Sequence, residues 1–375
     1  MNVIFTCGGT GGHINPAIAV ADILKQRHPD CNILFIGAKG HMEEQLVPRA
    51  GYRLECLPGS GLSRKLNFAG LKKNVTAVKS VLTAVNRCKQ IIRDFQPDVI
   101  IGTGGYASFP ALYAGSRMGI PTCVHESNAV PGLTTKLAAA KASRVLVCFE
   151  ESKNHYKNPE KVQVVGMPVR QEFWEMDRSQ ARRELGIGEG ERLVVSTFGS
   201  QGAKVMNEMT AQLFALEQQA GFPFRHIHAV GKFGASWMPQ AVKDQGVELE
   251  KCPSIDMREY IYNMPTVLAA ADVVLGRSGS GTCNEIAATG TPCILIPSPN
   301  VTNNHQDKNA RVLESRGAAI VVTESECTAQ GIFDQIMALL NDQPRCGQMS
   351  QALRTMGVPD SAQRICNILE ELMKS

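Results

Sequence analysis

Several features are missing from this sequence, and each absence excludes a class of protein. No stretch approaches the roughly 20 apolar residues that a membrane-spanning helix needs, and the chain begins without the basic segment of a secretory signal. The 12 cysteines are scattered, with no CxxC pair and no histidine cluster at zinc spacing, so we expect reduced thiols and no metal site. No GxxxxGK(S/T) motif occurs, which excludes a P-loop. We therefore expect a cytosolic globular protein.

The length and composition favour two domains. With 375 residues, of which 43% are hydrophobic and 20% charged, the chain exceeds the size at which a single core usually splits. The net charge of +4 is too small to indicate nucleic-acid binding. The charge is nevertheless unevenly distributed, because no acidic residue occurs from Cys56 to Arg93.

This acid-free stretch contains a candidate membrane-docking segment. Apolar and cationic residues are interspersed in it: Leu62, Arg64, Lys65, Leu66, Phe68, Lys72 and Lys73. Such a composition is typical of a surface that docks on anionic lipid, where each cation contributes about 1 kcal/mol. Beyond Lys79 an alternative is equally open, namely a solvated helix that packs on a sheet through its apolar stripe.

Strand and helix patterns alternate along both halves, which predicts an α/β protein with doubly wound parallel sheets. The predicted strands are 3–7, 33–36, 99–101, 122–125, 145–148 and 162–165, followed by 193–198, 226–230, 273–275, 293–296 and 319–322. The predicted helices include 17–26, 71–95, 111–118, 134–140, 332–340, 346–356 and 361–373. We place the boundary at Gly166-Met-Pro-Val-Arg170, which gives domains 1–166 and 167–356, and we expect 357–375 to pack back on the first domain.

Four glycine-rich loops follow predicted strands and precede helical patterns. They are Gly8 to His13, Gly102 to Ser108, Phe198 to Ala203 and Gly276 to Thr282. Helix N-termini at strand ends present free N–H groups and favour anions. The second loop formally fits a dinucleotide fingerprint, with Glu126 at the matching distance, but a lone fingerprint is weak evidence. In the first loop Ile14 replaces the third glycine, so the pattern predicts phosphate-binding loops without an NAD identity.

Six motifs together resemble one family. They are Gly8-Gly-Thr-Gly-Gly-His13, Gly102-Thr-Gly-Gly-Tyr106, His125-Glu-Ser-Asn128, Gly166-Met-Pro-Val-Arg170, Gly199-Ser-Gln-Gly-Ala203 and Arg277-Ser-Gly-Ser-Gly-Thr-Cys-Asn-Glu-Ile-Ala287. Their order and spacing are similar to those of the MurG family, which belongs to glycosyltransferase family 28. The resemblance covers essentially the whole chain. Two positions depart from the family pattern, since Phe198 replaces a glycine and Ser127 replaces a glutamine.

The resemblance implies a GT-B fold, with two Rossmann-like domains that face a cleft. The implied activity is the inverting transfer of N-acetylglucosamine from UDP-GlcNAc to the C4 hydroxyl of the muramyl sugar of lipid I, undecaprenyl-diphosphate-MurNAc-pentapeptide, in peptidoglycan synthesis. It implies no cofactor and no metal. It also implies a peripheral location on the cytoplasmic face of the cell membrane, an anionic membrane surface as a partner, and partners among the cell-wall synthesis and division proteins.

The resemblance also implies the site residues. Those assigned to the donor are Thr10, Gly11, Gly12, Asn128, Arg170, Ser200, Ile261, Ser280, Gly281, Thr282, Cys283, Asn284, Glu285 and Gln306, and those assigned to the acceptor are Gly104, Gly105, Tyr106 and Ser108. Glu285, one turn into a predicted helix, can accept both ribose hydroxyls. Ser200, at the expected start of another helix, suits the diphosphate, and Arg170 can supply charge to the leaving UDP.

Several residues have structural alternatives. Glu285 could be a surface glutamate, Ser200 a helix cap and Arg170 half of an interdomain salt bridge. Asn128 could satisfy its own loop, and Ile261 on its own would be a core residue. His13 is the candidate general base, since an imidazole there can deprotonate the acceptor hydroxyl; it could equally act as a positioning group or as a cation.

Two other functions remain open from the residues. A UDP-GlcNAc 2-epimerase would share the fold and the donor site but has no use for the segment from Leu62 to Lys73. A non-catalytic, membrane-associated nucleotide-binding module would bind UDP without turnover.

Overall fold

The computed structural model describes residues 1–58 and 68–374, with backbone only at residues 68–79 and at residue 302. The chain divides into two compact units. The first unit comprises Met1–Val169 together with the segment that begins at Val358, and the second unit comprises Arg170–Gly357. The C-terminal helix, Ser361–Lys374, therefore belongs to the first unit.

The first unit is built on a seven-stranded parallel sheet. Its strands are β1 (Asn2–Thr6), β2 (Asn32–Ala38), β3 (Arg53–Leu57), β4 (Val99–Gly102), β5 (Thr122–Glu126), β6 (Arg144–Val147) and β7 (Val162–Val164), in the order β3-β2-β1-β4-β5-β6-β7. The connecting helices are α1 (Gly11–Arg27), α2 (Glu43–Arg49), α3 (Phe68–Phe95), α4 (Ser108–Arg117) and α5 (Leu133–Ala139), with 3₁₀ turns at Glu150–His155 and Pro159–Lys161.

Alternation along the strands divides the core of this unit between the two faces of the sheet. Val3 and Phe5 point to the face covered by α1 and the C-terminal helix, whereas Ile4 points to the face covered by α3, α4 and α5. The C-terminal helix contributes Leu369, which is fully buried, to the first of these clusters. Burial of one such leucine contributes about 1.5–3 kcal/mol, so the last segment of the chain is part of the core of the first unit.

The second unit contains a six-stranded parallel sheet. Its strands are β8 (Leu193–Thr197), β9 (Arg225–Ala229), β10 (Ile255–Arg258), β11 (Val273–Gly276), β12 (Cys293–Leu295) and β13 (Ile320–Val321), in the order β10-β9-β8-β11-β12-β13. The helices are α6 (Glu172–Glu175), α7 (Arg178–Glu184), α8 (Lys204–Gln219), α9 (Met238–Asp244), α10 (Met264–Ala270), α11 (Ser280–Thr289), α12 (His305–Ser315), α13 (Ala329–Asn341) and α14 (Gln343–Met356); the C-terminal helix of the first unit is α15. Short 3₁₀ turns lie at Leu249–Lys251 and Thr302–Asn304.

The predicted strands are present, and the sequence patterns missed two others. Both β3 and β10 lie at sheet edges and are mostly half-buried, so neither has the continuous apolar run of the central strands. Helix α1 begins at Gly11, six residues before the predicted start at Ala17. The pattern misplaced this start because Gly11, Gly12 and Pro16 all have low helix propensity.

The order of the strands reverses at one point in each sheet. Strands β1 and β4 are neighbours in the first sheet, and β8 and β11 are neighbours in the second. The four glycine-rich loops predicted from the sequence follow these four strands directly. In open α/β sheets, ligands bind at the carboxyl ends of the strands at such a reversal.

Candidate functional site

The two glycine loops of the first unit are in direct backbone contact. Gly105 has φ +85°, and a Cβ atom at this position would lie 2.2 Å from the carbonyl oxygen of Gly8. Any side chain at Gly105 would therefore force the loops apart. Because Gly105 has no side chain, the N-termini of α1 and α4 can lie close together at the carboxyl end of the first sheet.

The N-terminus of α1 presents Thr10, Gly11 and Gly12. Thr10 is exposed and occupies the N-cap position in an extended conformation, with no side-chain hydrogen bond to the helix. The first N–H groups of a helix have no intrahelical acceptor, and Gly11 and Gly12 place no side chain over them. This helix end can therefore donate backbone hydrogen bonds to an anion.

The side chain of His13 is held by its own loop. Its Nδ1 atom lies 2.9 Å from the carbonyl oxygen of Gly8, and because a carbonyl can only accept, Nδ1 carries the hydrogen. In the tautomer that donates from Nδ1, the lone pair of the ring is on the Nε2 atom. It lies beside Gly104, where a Cβ atom would come within 3.0 Å of it. The hydroxyl of Thr103 donates to the His13 carbonyl at 2.7 Å, which fixes the backbone as well.

The second loop contains Ser108, whose side chain is used inside the loop. Ser108 is only 5% exposed. Its Oγ atom accepts from the Gly104 N–H at 3.2 Å and lies within donating distance of two carbonyl oxygens, those of Gly104 at 2.6 Å and Thr6 at 3.0 Å. The structure thus gives this hydroxyl a role in shaping the loop. Tyr106 is half-buried, with its hydroxyl 3.1 Å from the Ser80 hydroxyl.

Asn128 follows β5, the next strand in the first sheet. Its side-chain amide donates to Glu126 at 2.9 Å, and its backbone N–H donates to the same carboxylate oxygen at 3.0 Å. The other oxygen of Glu126 accepts from the Gly132 N–H at 3.2 Å. Glu126, which is 4% exposed, therefore organises its own loop, and its match to a dinucleotide fingerprint is coincidental.

The candidate membrane-docking segment lies largely outside the described residues. Leu62, Arg64, Lys65 and Leu66 fall in the gap between residues 58 and 68, and Phe68, Lys72 and Lys73 belong to the part of α3 for which only the backbone is described. Among the helices that are described, none combines the length and the apolar character needed to cross a bilayer.

In the second unit, the loop after β8 differs from the prediction. Ser200 was expected at the start of a helix, but α8 begins at Lys204 with Ala203 as its N-cap. Gly199 and Gly202 have φ values of +92° and +80°, and these left-handed conformations are incompatible with a helix. Ser200 is thus an exposed residue of a glycine turn, and it does not cap α8.

The loop after β11 leads into α11 as predicted. Gly279 is the N-cap, and Ser280, Gly281 and Thr282 form the first turn. Cys283 is 2% exposed, and burial raises the pKa of its thiol to about 12, so its side chain is core and only its backbone faces the loop. The Asn284 side chain donates to the Ser280 carbonyl at 2.9 Å, which ties it to its own helix.

Glu285 lies on α11 one turn from this N-terminus. The surrounding protein desolvates its carboxyl group and raises the pKa to about 7, and the guanidinium of Arg170 opposes this shift. The pKa of Tyr260 is also raised, by burial and by the charge of Glu285, and Arg170 again opposes the shift. These three groups are therefore electrostatic neighbours. No sequence pattern indicated Tyr260, which the fold brings to Glu285 from the loop after β10.

Arg170 is the first residue of the second unit. Its nearest described acidic partner is Glu172 at 3.8 Å, and its guanidinium lies over the Phe173 ring at 5.2 Å from the centroid. With 48% of its side chain exposed, it is a partly solvated cation.

Ile261 and Gln306 occupy two further loop ends of the second unit. The Ile261 side chain is 2% exposed, so it is core, and its backbone follows β10 between Tyr260 and Tyr262. Gln306 lies in the first turn of α12, as predicted, and its Oε1 atom accepts from the Ser298 N–H at 2.9 Å. The Ser278 hydroxyl donates to the Gln306 carbonyl at 2.9 Å. This bond joins α12 to the loop that precedes α11.

These features combine into two kinds of chemistry. The first unit offers helix N–H groups and an imidazole with an available lone pair, which suits an anion and a proton acceptor. The second unit offers glycine turns, a helix N-terminus, a carboxyl group and a cation, which suits a nucleoside diphosphate.

Comparison with known proteins gives full-length matches. The family model for the glycosyltransferase family 28 N-terminal domain matches residues 3–147, and the model for the family's C-terminal domain matches residues 193–365. A curated protein of Acetivibrio thermocellus, named UDP-N-acetylglucosamine--N-acetylmuramyl-(pentapeptide) pyrophosphoryl-undecaprenol N-acetylglucosamine transferase, is 39% identical over 375 residues, with 100% of this chain and 99% of the relative covered.

Solved structures give likenesses of fold. The crystal structure of Acinetobacter baumannii MurG matches with a TM-score of 0.76 and 24% identity, covering 99% of each chain. The UDP-GlcNAc 2-epimerase from Neisseria meningitidis bound to UDP-GlcNAc matches with a TM-score of 0.68 and 14% identity, covering 99% of this chain and 100% of the other. At these identities the likeness concerns the fold alone.

Proposed function

The chain belongs to glycosyltransferase family 28, and from that membership we propose its reaction. It transfers N-acetylglucosamine from UDP-GlcNAc to the C4 hydroxyl of N-acetylmuramyl-(pentapeptide) pyrophosphoryl-undecaprenol, with inversion at the anomeric carbon, which makes it a peptidoglycan-synthesis enzyme. The observation that carries this conclusion is the full-length relation to a protein named for that transfer. The predicted GT-B class is confirmed, because both units contain doubly wound parallel sheets and the fold matches a MurG structure.

The second unit binds the nucleotide part of the donor in this proposal. The Glu285 carboxylate accepts the ribose hydroxyls, and the N–H groups of Ser280, Gly281 and Thr282 face phosphate, with Cys283 contributing its backbone only. The side chain of Asn284 supports this turn. The glycine turn with Ser200 donates to the diphosphate, and the backbone at Ile261 meets the uracil.

Other residues complete the donor site. Gln306 faces the sugar, with its amide oriented by the bond to Ser298. Arg170 stabilises the negative charge that develops on the departing UDP. We also assign donor contacts to Thr10, Gly11 and Gly12 through the end of α1, and to Asn128.

The first unit binds the acceptor and supplies the base. Gly104, Gly105 and Tyr106 contact the acceptor diphosphate, and Ser108 maintains the loop that presents them. The acceptor C4 oxygen attacks the anomeric carbon from the face opposite UDP, and the bond from that carbon to the diphosphate oxygen breaks with its electron pair leaving on UDP. The Nε2 atom of His13 takes the hydroxyl proton, because Nδ1 already donates to Gly8.

We also infer a peripheral location at the cytoplasmic face of the membrane. The acceptor carries an undecaprenyl chain, so it resides in a bilayer, and the segment from Leu62 to Lys73 has the apolar and cationic composition that docks on anionic lipid. Partners among cell-wall synthesis and division proteins remain an expectation from the family.

The test is UDP release from UDP-GlcNAc with and without a lipid I analogue, with the product linkage determined by NMR. Acceptor-dependent release that forms a β-1,4 disaccharide on the lipid diphosphate is expected. Release without acceptor, or 2-epimerised sugar, would instead favour the epimerase, to which the likeness is one of fold, as in the match at 14% identity. Tight UDP binding with no turnover would favour the non-catalytic module.

A further inference from the structure

Four polar side chains form a fully buried chain of hydrogen bonds inside the second unit. Glu217 on α8, His226 and His228 on β9, and Ser196 on β8 are each 0% exposed. Glu217 Oε1 lies 2.7 Å from His226 Nδ1, and Ser196 Oγ lies 2.7 Å from His226 Nε2 and 2.6 Å from His228 Nδ1. The rings of Phe198, Phe214 and Phe224 surround the two imidazoles.

One assignment of the hydrogens satisfies all three bonds with each histidine donating from Nδ1. Glu217 Oε1 accepts from His226 Nδ1, and in this arrangement the other ring nitrogen, Nε2, accepts from the Ser196 hydroxyl. The Ser196 oxygen then accepts from His228 Nδ1. Burial and the neighbouring His226 lower the pKa of His228 to about 3, which keeps this imidazole uncharged. All three bonds run in one direction, from His228 to Glu217.

This buried chain of hydrogen bonds lowers the stability of the core relative to apolar packing. In the described structure, Glu217 Oε2 and His228 Nε2 are buried without a partner, and each such atom costs about 1–3 kcal/mol. Apolar side chains of similar volume would avoid that cost. The polar chain instead determines how the elements are placed, because each hydrogen bond sets a distance and an angle between the groups that it joins.

The elements joined by this chain are those that surround the glycine turn with Ser200. Ser196 is the second-last residue of β8, three residues before Gly199 of that turn, and Glu217 lies on α8, the helix that follows the turn. His228 lies at the end of β9, whose following loop donates to the turn twice, from Lys232 N–H to the Ser200 carbonyl at 3.1 Å and from Phe233 N–H to the Gln201 carbonyl at 3.0 Å.

The backbones of the two loops are in close contact. A Cβ atom on Gly202 would lie 2.2 Å from the Val230 carbonyl oxygen, and one on Gly231 would lie 2.1 Å from the Gly202 nitrogen. Any change in the spacing of β8 and β9 beneath them is therefore transmitted to the backbone around Ser200.

We propose that the chain Glu217–His226–Ser196–His228 is a positioning element that fixes the turn containing Ser200 for the donor diphosphate. These four residues do not touch substrate and act through the turn. The inference rests on the proposed function, because it takes the turn as the diphosphate site. None of the residues assigned to donor binding belongs to this buried chain, so those assignments do not explain why it is present.

The test compares Ser196→Ala with a matched control, Thr210→Val. Thr210 is also 0% exposed and donates to the Met206 carbonyl at 2.8 Å on the same helix as Glu217, but it lies outside the chain. Both variants lose one buried hydroxyl, so both should lower the melting temperature. Ser196→Ala should also raise the dissociation constant of UDP-GlcNAc, measured by calorimetry, and the donor KM. Each should rise about tenfold, which is the equivalent of one hydrogen bond. The acceptor KM should stay unchanged. Glu217→Gln, which keeps an acceptor oxygen, should retain most of the affinity.

The outcomes separate this inference from the proposed function. If the wild-type protein does not bind UDP-GlcNAc, the proposed function fails. If it binds, and Ser196→Ala and Thr210→Val change donor affinity equally, the positioning role is overturned. Should Ser196→Ala not fold, His228→Asn, whose amide can still donate to Ser196, and His228→Leu, which cannot, replace it. Equal donor affinity in that pair would overturn the inference, and a tenfold weaker affinity in His228→Leu alone would support it.

Discussion

The raised pKa of Glu285 predicts that donor binding depends on pH around neutrality. In the proposed donor site the ribose hydroxyls donate to Glu285, so the form of this group that binds them is the carboxylate. Because burial raises the pKa of this group to about 7, the free enzyme must ionise it before or during donor binding. The affinity for the donor is therefore expected to be highest above the pKa of Glu285 and to fall as the pH drops through that pKa.

The magnitude follows from the fraction of enzyme in the binding form. One unit below the pKa, only about one tenth of a carboxyl group is ionised, and the apparent dissociation constant increases by the inverse of that fraction. Between pH 8.5 and pH 6 the dissociation constant of UDP-GlcNAc should thus rise about tenfold, or about 1.4 kcal/mol. An ordinary glutamate, with a pKa near 4.3, would give almost no change over this range.

The assay is calorimetric titration of the wild-type enzyme with UDP-GlcNAc at several pH values, without acceptor. UDP-GlcNAc is preferred to UDP because its diphosphate has no terminal phosphate group that titrates near pH 6. Glu285→Gln should bind more weakly at high pH and show no pH dependence from this site. Glu285→Ala should weaken binding more strongly, by about 10- to 150-fold, for the loss of hydrogen bonds to a charged group.

Two results would refute the reasoning. The first is a wild-type dissociation constant that stays constant from pH 8.5 to pH 6. The second is an unchanged pH dependence in Glu285→Gln, which would assign the titration to another group. His13→Gln serves as the matched control, because a histidine can also titrate in this range, and this variant should retain the full pH dependence of donor binding.

The remaining predictions concern the base, the membrane segment and the C-terminal helix. His13→Gln should lower kcat by about 10²–10⁴ while donor affinity at high pH stays unchanged; a kcat within a factor of three of wild type would exclude the base role. Lys72→Glu combined with Lys73→Glu should weaken binding to anionic liposomes and spare activity on a soluble short-chain acceptor, and unaltered liposome binding would place the docking surface elsewhere. Leu369→Ala should lower the free energy of unfolding by about 2–5 kcal/mol, measured by denaturant titration, and a loss below 1 kcal/mol would contradict the core position of this helix.

The fold class could be predicted because the central strands are apolar runs that end in glycine-rich loops. Strands such as β1 and β4 are buried on both faces, and their composition alone distinguishes them from helices. The edge strands β3 and β10 could not be recognised in the same way, because their residues are mostly half-buried and mixed in polarity. The start of α1 was misplaced since Gly11 and Gly12, which form the first turn of this helix, have low helix propensity.

The site was predictable where a motif determines local backbone, and much less so where the fold joins distant segments. The position of Glu285 on α11 followed from the glycine loop before it, whereas its neighbour Tyr260 comes from a separate strand end. Ser200 was misplaced because Gly199 and Gly202 adopt positive φ. One sequence signal indicated the buried chain of hydrogen bonds. His226 and His228 are separated by one residue on a predicted strand, so their side chains must lie on the same face of the sheet.

The carboxyl groups of Glu126, Glu217 and Glu285 are of two kinds, and the difference explains which of them can bind a ligand. Glu126 accepts from three N–H groups of its own loop, and Glu217 accepts from His226. Glu285 is desolvated too, but within the described part of the chain no donor contacts its carboxylate, and the cation that acts on it, Arg170, is held by Glu172 and Phe173. A desolvated carboxyl group without internal donors stays protonated to a higher pH until hydroxyl donors arrive. The ribose of a nucleotide supplies such donors, which supports the proposed assignment of the donor to Glu285 and not to Glu126, whose loop already supplies its donors.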